Sequence, residues 1–402
     1  MSPRFKTFLP FLVLVSVWAL FFATVKFFLW GDLKEEFQPD LQQIAGYLSL
    51  GGAIAFLIGG AFAQTFLKKY YLFIIALLSS VFILYAYLIG FSKEILFAVT
   101  VTILGFLYGL WNVMKSVIVS IEIKKTGLPE TAVTAIVGMI FVVCIIIGSL
   151  LGTIVYEKIG SHGYLLILGY LIIAGVTSFF MDYDGISFRS LLSKGWGNYL
   201  IARRQSLATS MKAYIPDLIY ITKHYLPVIV TSSLFWSIST IISQSSVEYS
   251  SATFGIKGSA ATMILLYSAV GAIIGSFLSI KMGKNRWMFF MIFSIFFALS
   301  TAAIPIFGST FGNLSIIATL LGVCFGTAVN LSDSFLLKSF GDEDKKEYGA
   351  STMGLIFSII LFTSMFVSSA ALKELGYHTV MYIFSAIIAS IGIMLGIYKL
   401  KS

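Results

Sequence analysis

The sequence predicts an all-α polytopic membrane protein with 12 transmembrane helices in two pseudo-symmetric six-helix bundles. Three observations carry that prediction. Of 402 residues, 58% are hydrophobic and only 11% are charged, against roughly 25% charged in a soluble domain. Such a chain cannot cover a water-facing surface. Apolar runs long enough to cross a bilayer recur along its whole length, and features of the first half return in order in the second. A cytosolic enzyme, a disordered chain and a secreted disulfide scaffold are excluded. The 7 prolines, 35 glycines and 37 phenylalanines suit apolar helices in close contact.

A spanning helix needs about 20 mostly apolar residues. Twelve candidates lie at 8–30, 43–66, 70–91, 95–119, 132–155, 162–181, 225–247, 259–280, 287–307, 312–336, 349–371 and 377–398. These long runs differ from the alternating segments, about ten residues each, of a membrane β-barrel. Arg4 and Lys6 before the first run resemble a signal peptide. That run, about 23 residues, is too long for a signal h-region and no clear cleavage site follows. It is read as a retained first helix.

Between the sixth and seventh candidates lies the longest polar stretch, with Arg189, Lys194, Arg203, Arg204, Lys212, Lys223 and Pro216. The expected organisation is a six-helix bundle over 1–181, a cytoplasmic linker with an interfacial helix over 182–224, and a second bundle over 225–402. With the N-terminus inside, inside segments hold 20 Lys and Arg, outside loops hold 5 (Lys34, Lys93, Lys158, Lys257 and Lys373), and Lys26 and Lys115 fall within spans. This is a strong positive-inside asymmetry, so both termini are expected in the cytoplasm. The net charge of +9 then faces anionic inner-leaflet lipid rather than nucleic acid. Cys144 and Cys324 sit in apolar runs and form no disulfide framework or CxxC pair.

The halves echo each other. Leu9-Pro10 returns as Leu226-Pro227, and Gly60 with Lys68-Lys69 as Gly275 with Gly283-Lys284. Leu104-Gly105-x-x-Tyr108-Gly109 returns as Leu321-Gly322-x-x-Phe325-Gly326, and Gly138-x-Ile140-Phe141 as Gly354-x-Ile356-Phe357. All four offsets lie between 215 and 217 residues. Repeated halves are a signature of secondary transporters, whose substrate site lies near the midplane between them.

With its six-plus-six spans, basic central loop and paired loop motifs, the chain resembles the major facilitator superfamily. That family's loop motif runs Gly-x-x-x-Asp-x-x-Gly followed by two basic residues. Here the copies read Gly60 to Lys68-Lys69 and Gly275 to Gly283-Lys284 and Arg286, with Gln64 and Ser279 in place of the Asp. The resemblance implies alternating access by symport or antiport, no enzymatic activity, no cofactor, and helices 1, 4, 7 and 10 around a central cavity. A finer likeness, through Thr231 to Trp236, Gly271 to Gly275 and Lys115, is to bacterial lysophospholipid transporters, although Ala23-Thr24 stands where that branch carries Asp-Asn. The expected setting is an integral, multi-pass monomer of a bacterial inner (plasma) membrane, among membrane lipids.

An ionisable residue inside a membrane is costly and is a functional candidate by default. Tyr108, Trp111, Asn112 and Lys115 share one helical face at spacings of three and four. Trp236, Thr240, Gln244 and Glu248 follow at spacings of four, and Asn330 and Asp333 at three. Lys115 and Asp333 are expected to pair as one gate, and Lys26 and Glu248 as another. Lys26 and Lys115 also have stems long enough to snorkel to an interface. As a binding group, Lys115 suits an anionic or zwitterionic headgroup, and Trp111 and Trp236 suit a ring or a cation. The expected substrate is a small organic solute, anionic in view of Lys26 and Lys115, or a lysophospholipid. Asp333 and Glu248 are the acids placed to carry a coupling proton, Glu122 and Glu157 being read as loop-edge residues. His162, His224 and His378 lie apart, without metal-ligand spacing, and no Gly-x-x-x-x-Gly-Lys-[Ser/Thr] loop exists. A transporter-like sensor that binds without transport fits the same residues.

Overall fold

The computed structural model describes residues 3–33, 41–65, 68–89, 94–126, 130–179, 207–256, 258–282, 285–339 and 343–401. Twelve long helices account for nearly all of them. They are α1 (Pro3–Leu33), α2 (Leu41–Thr65), α3 (Lys68–Ile89), α4 (Glu94–Thr126), α5 (Glu130–Ile159), α6 (Gly163–Phe179), α7 (Leu207–Phe254), α8 (Met263–Lys281), α9 (Arg286–Phe307), α10 (Phe311–Ser339), α11 (Glu343–Leu375) and α12 (Tyr377–Lys401). A single turn, Gly258–Ala261, leads into α8. Among the described residues, eleven apolar stretches are long enough to span a bilayer, and one of them, Ile136–Ser178, runs through most of both α5 and α6. The two are folded against each other at a turn through Gly160–His162.

The expected linker falls partly outside the described residues. From Leu207 onward it is already α7, a 48-residue helix about 70 Å long at 1.5 Å per residue. That is more than twice the roughly 30 Å of hydrocarbon. Its apolar span begins at Leu218, so the first turns extend the seventh helix instead of forming a separate element. Pro216 and Pro227 lie inside α7, and the Thr231 hydroxyl donates to the Pro227 carbonyl at 2.7 Å. The carbonyl that Pro227 leaves without its helical N–H is that of Lys223, so the Thr231 bond is the common back-bond of a helical threonine to its own preceding turn.

Packing repeats with the sequence. In the first half α1 lies on α5, α2 on α4 and α3 on α6; in the second, α7 lies on α11, α8 on α10 and α9 on α12. The halves meet through α2 against α11 and α5 against α8, again one arrangement used twice. Each half has its own apolar core, one centred on Trp18, Phe28, Phe97 and Trp111, the other on Phe235, Phe290, Phe297 and Met381. The outward faces are apolar as well. Leu88, Val176, Leu299 and Met394 on α3, α6, α9 and α12 are all exposed, as lipid-facing positions require.

Glycine sets the closest crossings. A Cβ on Gly105 would collide with the Leu48 carbonyl of α2, and one on Gly51 with the Thr102 carbonyl of α4. In the second half Gly322 abuts the Ser268 carbonyl and Gly271 the Thr319 carbonyl. The repeated Leu-Gly-x-x-aromatic-Gly motif is therefore the α2/α4 crossing and its copy at α8/α10. Small residues at helix interfaces let membrane helices approach backbone to backbone. The hairpin turns repeat too. Gly160 (φ 55°) and Gly376 (φ 77°) adopt left-handed conformations, which cost glycine nothing. Two residues later the His162 and His378 rings meet the Tyr87 and Tyr249 hydroxyls at 3.3 and 3.2 Å.

Candidate functional site

A cavity of about 550 Å³ lies between the halves, in the size range of small-molecule sites. Helices α1, α4, α7 and α10 each contribute to its wall, as do α2, α5, α8 and α11. Of the residues expected from sequence, Lys26, Tyr108, Asn112, Lys115, Trp236, Thr240, Gln244 and Asp333 line it. The α4 face is built on a stack: Phe22 of α1 lies parallel to Tyr108 with ring centroids 3.8 Å apart. Lys115 Nζ sits 4.4 Å from the centre of the Phe141 ring and 5.3 Å from that of Trp111. Such rings stabilise an ammonium through their electron-rich faces. Across the cavity, Asp333 Oδ1 accepts from the Ser232 hydroxyl at 3.3 Å, and Ser232 also meets Ser332 at 3.1 Å. Lys115 and Asp333 line the same cavity from opposite halves.

Three expected residues fall elsewhere. Trp111 is fully buried and stacks on Trp18 at 5.5 Å, so its indole belongs to the α1/α4 core and not to the cavity wall. Asn330 is half-buried and does not line the cavity. Glu248 lies beyond the cavity wall, where its carboxylate accepts the Leu41 N–H at 2.7 Å. Lys26 reaches the same cluster. With the Gln244 amide oriented by its donors and acceptors, its oxygen accepts from Lys26 Nζ and its nitrogen donates to the Leu41 carbonyl at 3.2 Å. The Glu248 charge acts on Lys26 as well. Next to them Gln42 Nε2 donates to Ser245 at 3.0 Å.

Glu157 is exposed two residues before the end of α5, at the loop edge where the sequence placed it. Its carboxylate accepts the Ser259 N–H at 3.0 Å, joining α5 to the turn that opens α8. The hydrogen bonds that Glu248, Gln42, Gln244, Thr153 and Glu157 make from one half to the other lie at this Lys26 end of the bundle. Of the loop-motif residues, Ser279 is buried and donates to the Ser276 carbonyl of its own helix at 2.7 Å. Gly275 accepts from Thr327 at 3.1 Å, and Arg286 lies 5.6 Å from the Phe335 ring. Gly60, Gln64, Lys68 and Lys69 belong to α2 and α3, with side chains outside the described residues, as are Gly283 and Lys284.

Sequence reasoning missed the hydroxyl row of the cavity. Ser232, Ser233, Ser239 and Ser243 line it from α7, facing Ser49, Ser149 and Ser358. Serine in a helix commonly bonds its own preceding turn, so nothing in spacing alone marks these residues as a site.

Two six-helix halves around a central cavity, with hydrogen bonds between them at one end, define an all-α, integral, multi-pass membrane protein. No family model and no curated protein matches the chain. Solved structures do. The chain is similar to the human organic anion transporter MFSD10 (TETRAN), with a TM-score of 0.67, 11% identity, and 98% of this chain and 100% of that one covered. It is also similar to the proton:xylose symporter XylE bound to 6-bromo-6-deoxy-D-glucose, with a TM-score of 0.66, 13% identity, and 99% and 96% covered. The fold is that of the major facilitator superfamily.

Proposed function

We propose that the chain is a secondary transporter that moves a small organic solute bearing an anionic group across the membrane by alternating access. The observation that carries this reading is the placement of Lys115 and Asp333. They come from opposite halves and line one cavity, while the hydrogen bonds between halves gather at the other end. With both termini cytoplasmic, as the positive-inside asymmetry implies, this conformation is closed to the outside and offers Lys115 to a ligand from within. Asp333, held by Ser232 in the cavity, is the group through which a proton is coupled. The proposed setting is a bacterial inner membrane, with the protein acting as a monomer and not as an enzyme.

A second reading, lysophospholipid transport, is favoured by the apolar wall that Phe56, Phe141, Ile145, Leu265, Phe357 and Met365 give the cavity. Counterflow in proteoliposomes preloaded with organic anions tests the main reading. Exchange that Lys115→Met abolishes is expected. Ligand-induced thermal stabilisation without any counterflow would replace transport by sensing.

A further inference from the structure

Among the described residues that line the cavity, three are of charged type: Lys26, Lys115 and Asp333. Lys26 is engaged by Gln244 and by the charge of Glu248. One cation and one anion are left to meet a ligand, and they stand on α4 and α10 in opposite halves. An anion would match Lys115 but set its own charge against Asp333, and a cation would do the reverse. Away from bulk water an unmatched charge keeps its desolvation cost without a compensating partner, so a ligand with both signs fits better than either. The side chains around the pair are arranged to hold it. Ser232 fixes Asp333 at 3.3 Å, and the Phe141 ring lies under the Lys115 ammonium at 4.4 Å. Between the charged ends and the closed mouth the wall is aromatic, with the Phe22–Tyr108 stack on one side and Trp236, packed on Phe325 at 4.7 Å, on the other.

Resting on the transport reading, we propose that the solute is a zwitterion with an apolar body. Its anionic group sits on Lys115, its cationic group on Asp333, and its body against the Tyr108 and Trp236 walls. The ligand then replaces an attraction between the halves with two of its own, so binding and the relative position of α4 and α10 are linked.

Two sources supply this chemistry: a water-soluble amino acid with an aromatic side chain, and the ethanolamine phosphate headgroup of a lysolipid. The test measures Kd from ligand-dependent thermal stabilisation of the full chain. One arm compares phenylalanine with N-acetylphenylalanine, the anion, and phenylalanine methyl ester, the cation. The other compares lysophosphatidylethanolamine with lysophosphatidylglycerol of the same acyl chain. In one arm the zwitterion is expected to bind about tenfold more tightly than its singly charged relatives, the worth of one charge-assisted hydrogen bond. Asp333→Asn should erase the margin over the anion. In the soluble arm Lys115→Gln should erase the margin over the cation. Ser232→Ala keeps both charges and should narrow either margin, which provides a readout if a charge variant fails to fold. Equal binding of the anion to the unaltered protein overturns the zwitterion and leaves anion transport standing. Silence in both arms also overturns it, and counterflow then decides separately whether the chain transports at all.

Discussion

Glu248 at the end of α7 accepts the backbone N–H of Leu41, the first residue of α2, at 2.7 Å, so a carboxylate of one half caps a helix of the other. Glu157 of α5 does the same to Ser259 at the entry to α8, at 3.0 Å. Leu41 opens α2 and Ser259 lies in the turn that opens α8, the second helix of each half, and each bond crosses between the halves. A carboxylate at a helix N-terminus satisfies an otherwise unpaired N–H and meets the positive end of the helix dipole. Replacing Glu by Gln keeps an acceptor but removes the charge, which weakens such a bond by about 1 kcal/mol, or roughly fivefold in the closed-to-open ratio. Glu157→Gln with Glu248→Gln is therefore expected to expose the sealed end. Maleimide labelling of Ser245→Cys, in a background without Cys144 and Cys324, should accelerate over the single variants. An unchanged rate would remove these contacts from the gate.

The Lys115–Asp333 relationship gives the second expectation. Each charge reversal alone leaves two like charges facing one cavity and should lower exchange by at least about tenfold, the loss of one charged interaction. The double reversal restores opposite signs and should recover a measurable part of that loss. Counterflow at a fixed gradient is the measurement. A double variant no better than either single one would mean that the two act independently.

Much of the fold was legible because a membrane imposes it. Apolar runs about 20 residues long have to be helices, and four motifs matched in order at offsets of 215 to 217 residues mark a repeat. The family resemblance implied helices 1, 4, 7 and 10 around a cavity, and Lys26, Lys115, Gln244 and Asp333 do line it. Reading a helical face was not enough for Trp111. A face spans a wide arc, and the neighbour that fills part of it, Trp18 of α1, is a fact of packing. Glu157 was passed over because a carboxylate near a loop is usually solvated; its partner is a backbone N–H some hundred residues away in sequence. The Gly-x-His turns at 160 and 376 share the offset, but two residues are too weak a signal until their φ angles and tyrosine partners are known.

The glycine crossings carry the third expectation. Gly105→Ala and Gly322→Ala each place a methyl against a carbonyl of the neighbouring helix, where backbone has to move. Overpacking of this kind costs about 1–3 kcal/mol, and the two substitutions should lower thermal stability by similar amounts because the sites are copies. Gly138→Ala and Gly169→Ala meet no atom within 4 Å. In helices they should be neutral or stabilising by up to about 1 kcal/mol. A thermal melt of the four variants in one detergent separates these outcomes, and equal losses at all four would show that the crossings are not tight.

The two tryptophans offered by sequence as ring or cation binders are separated by their surroundings. Trp111 is sealed in the first-half core between Trp18 and Tyr108. Trp236 is half-buried on the cavity wall with edge contacts to Phe325 and Phe357. Removing a large buried aromatic costs about 3–5 kcal/mol, so Trp111→Ala should lower thermal stability sharply. Any effect on ligand affinity would come through Tyr108, and Trp111→Phe, which keeps a ring in the stack, should recover most of both. Trp236→Ala removes wall rather than core. It should weaken binding of an aromatic ligand by up to about tenfold, in line with the roughly 0.5–1.5 kcal/mol of an aromatic pair, with a smaller change in stability. Stability and Kd measured on the same preparations decide the matter: a Trp236 variant that melts early and binds normally would assign that ring to packing too.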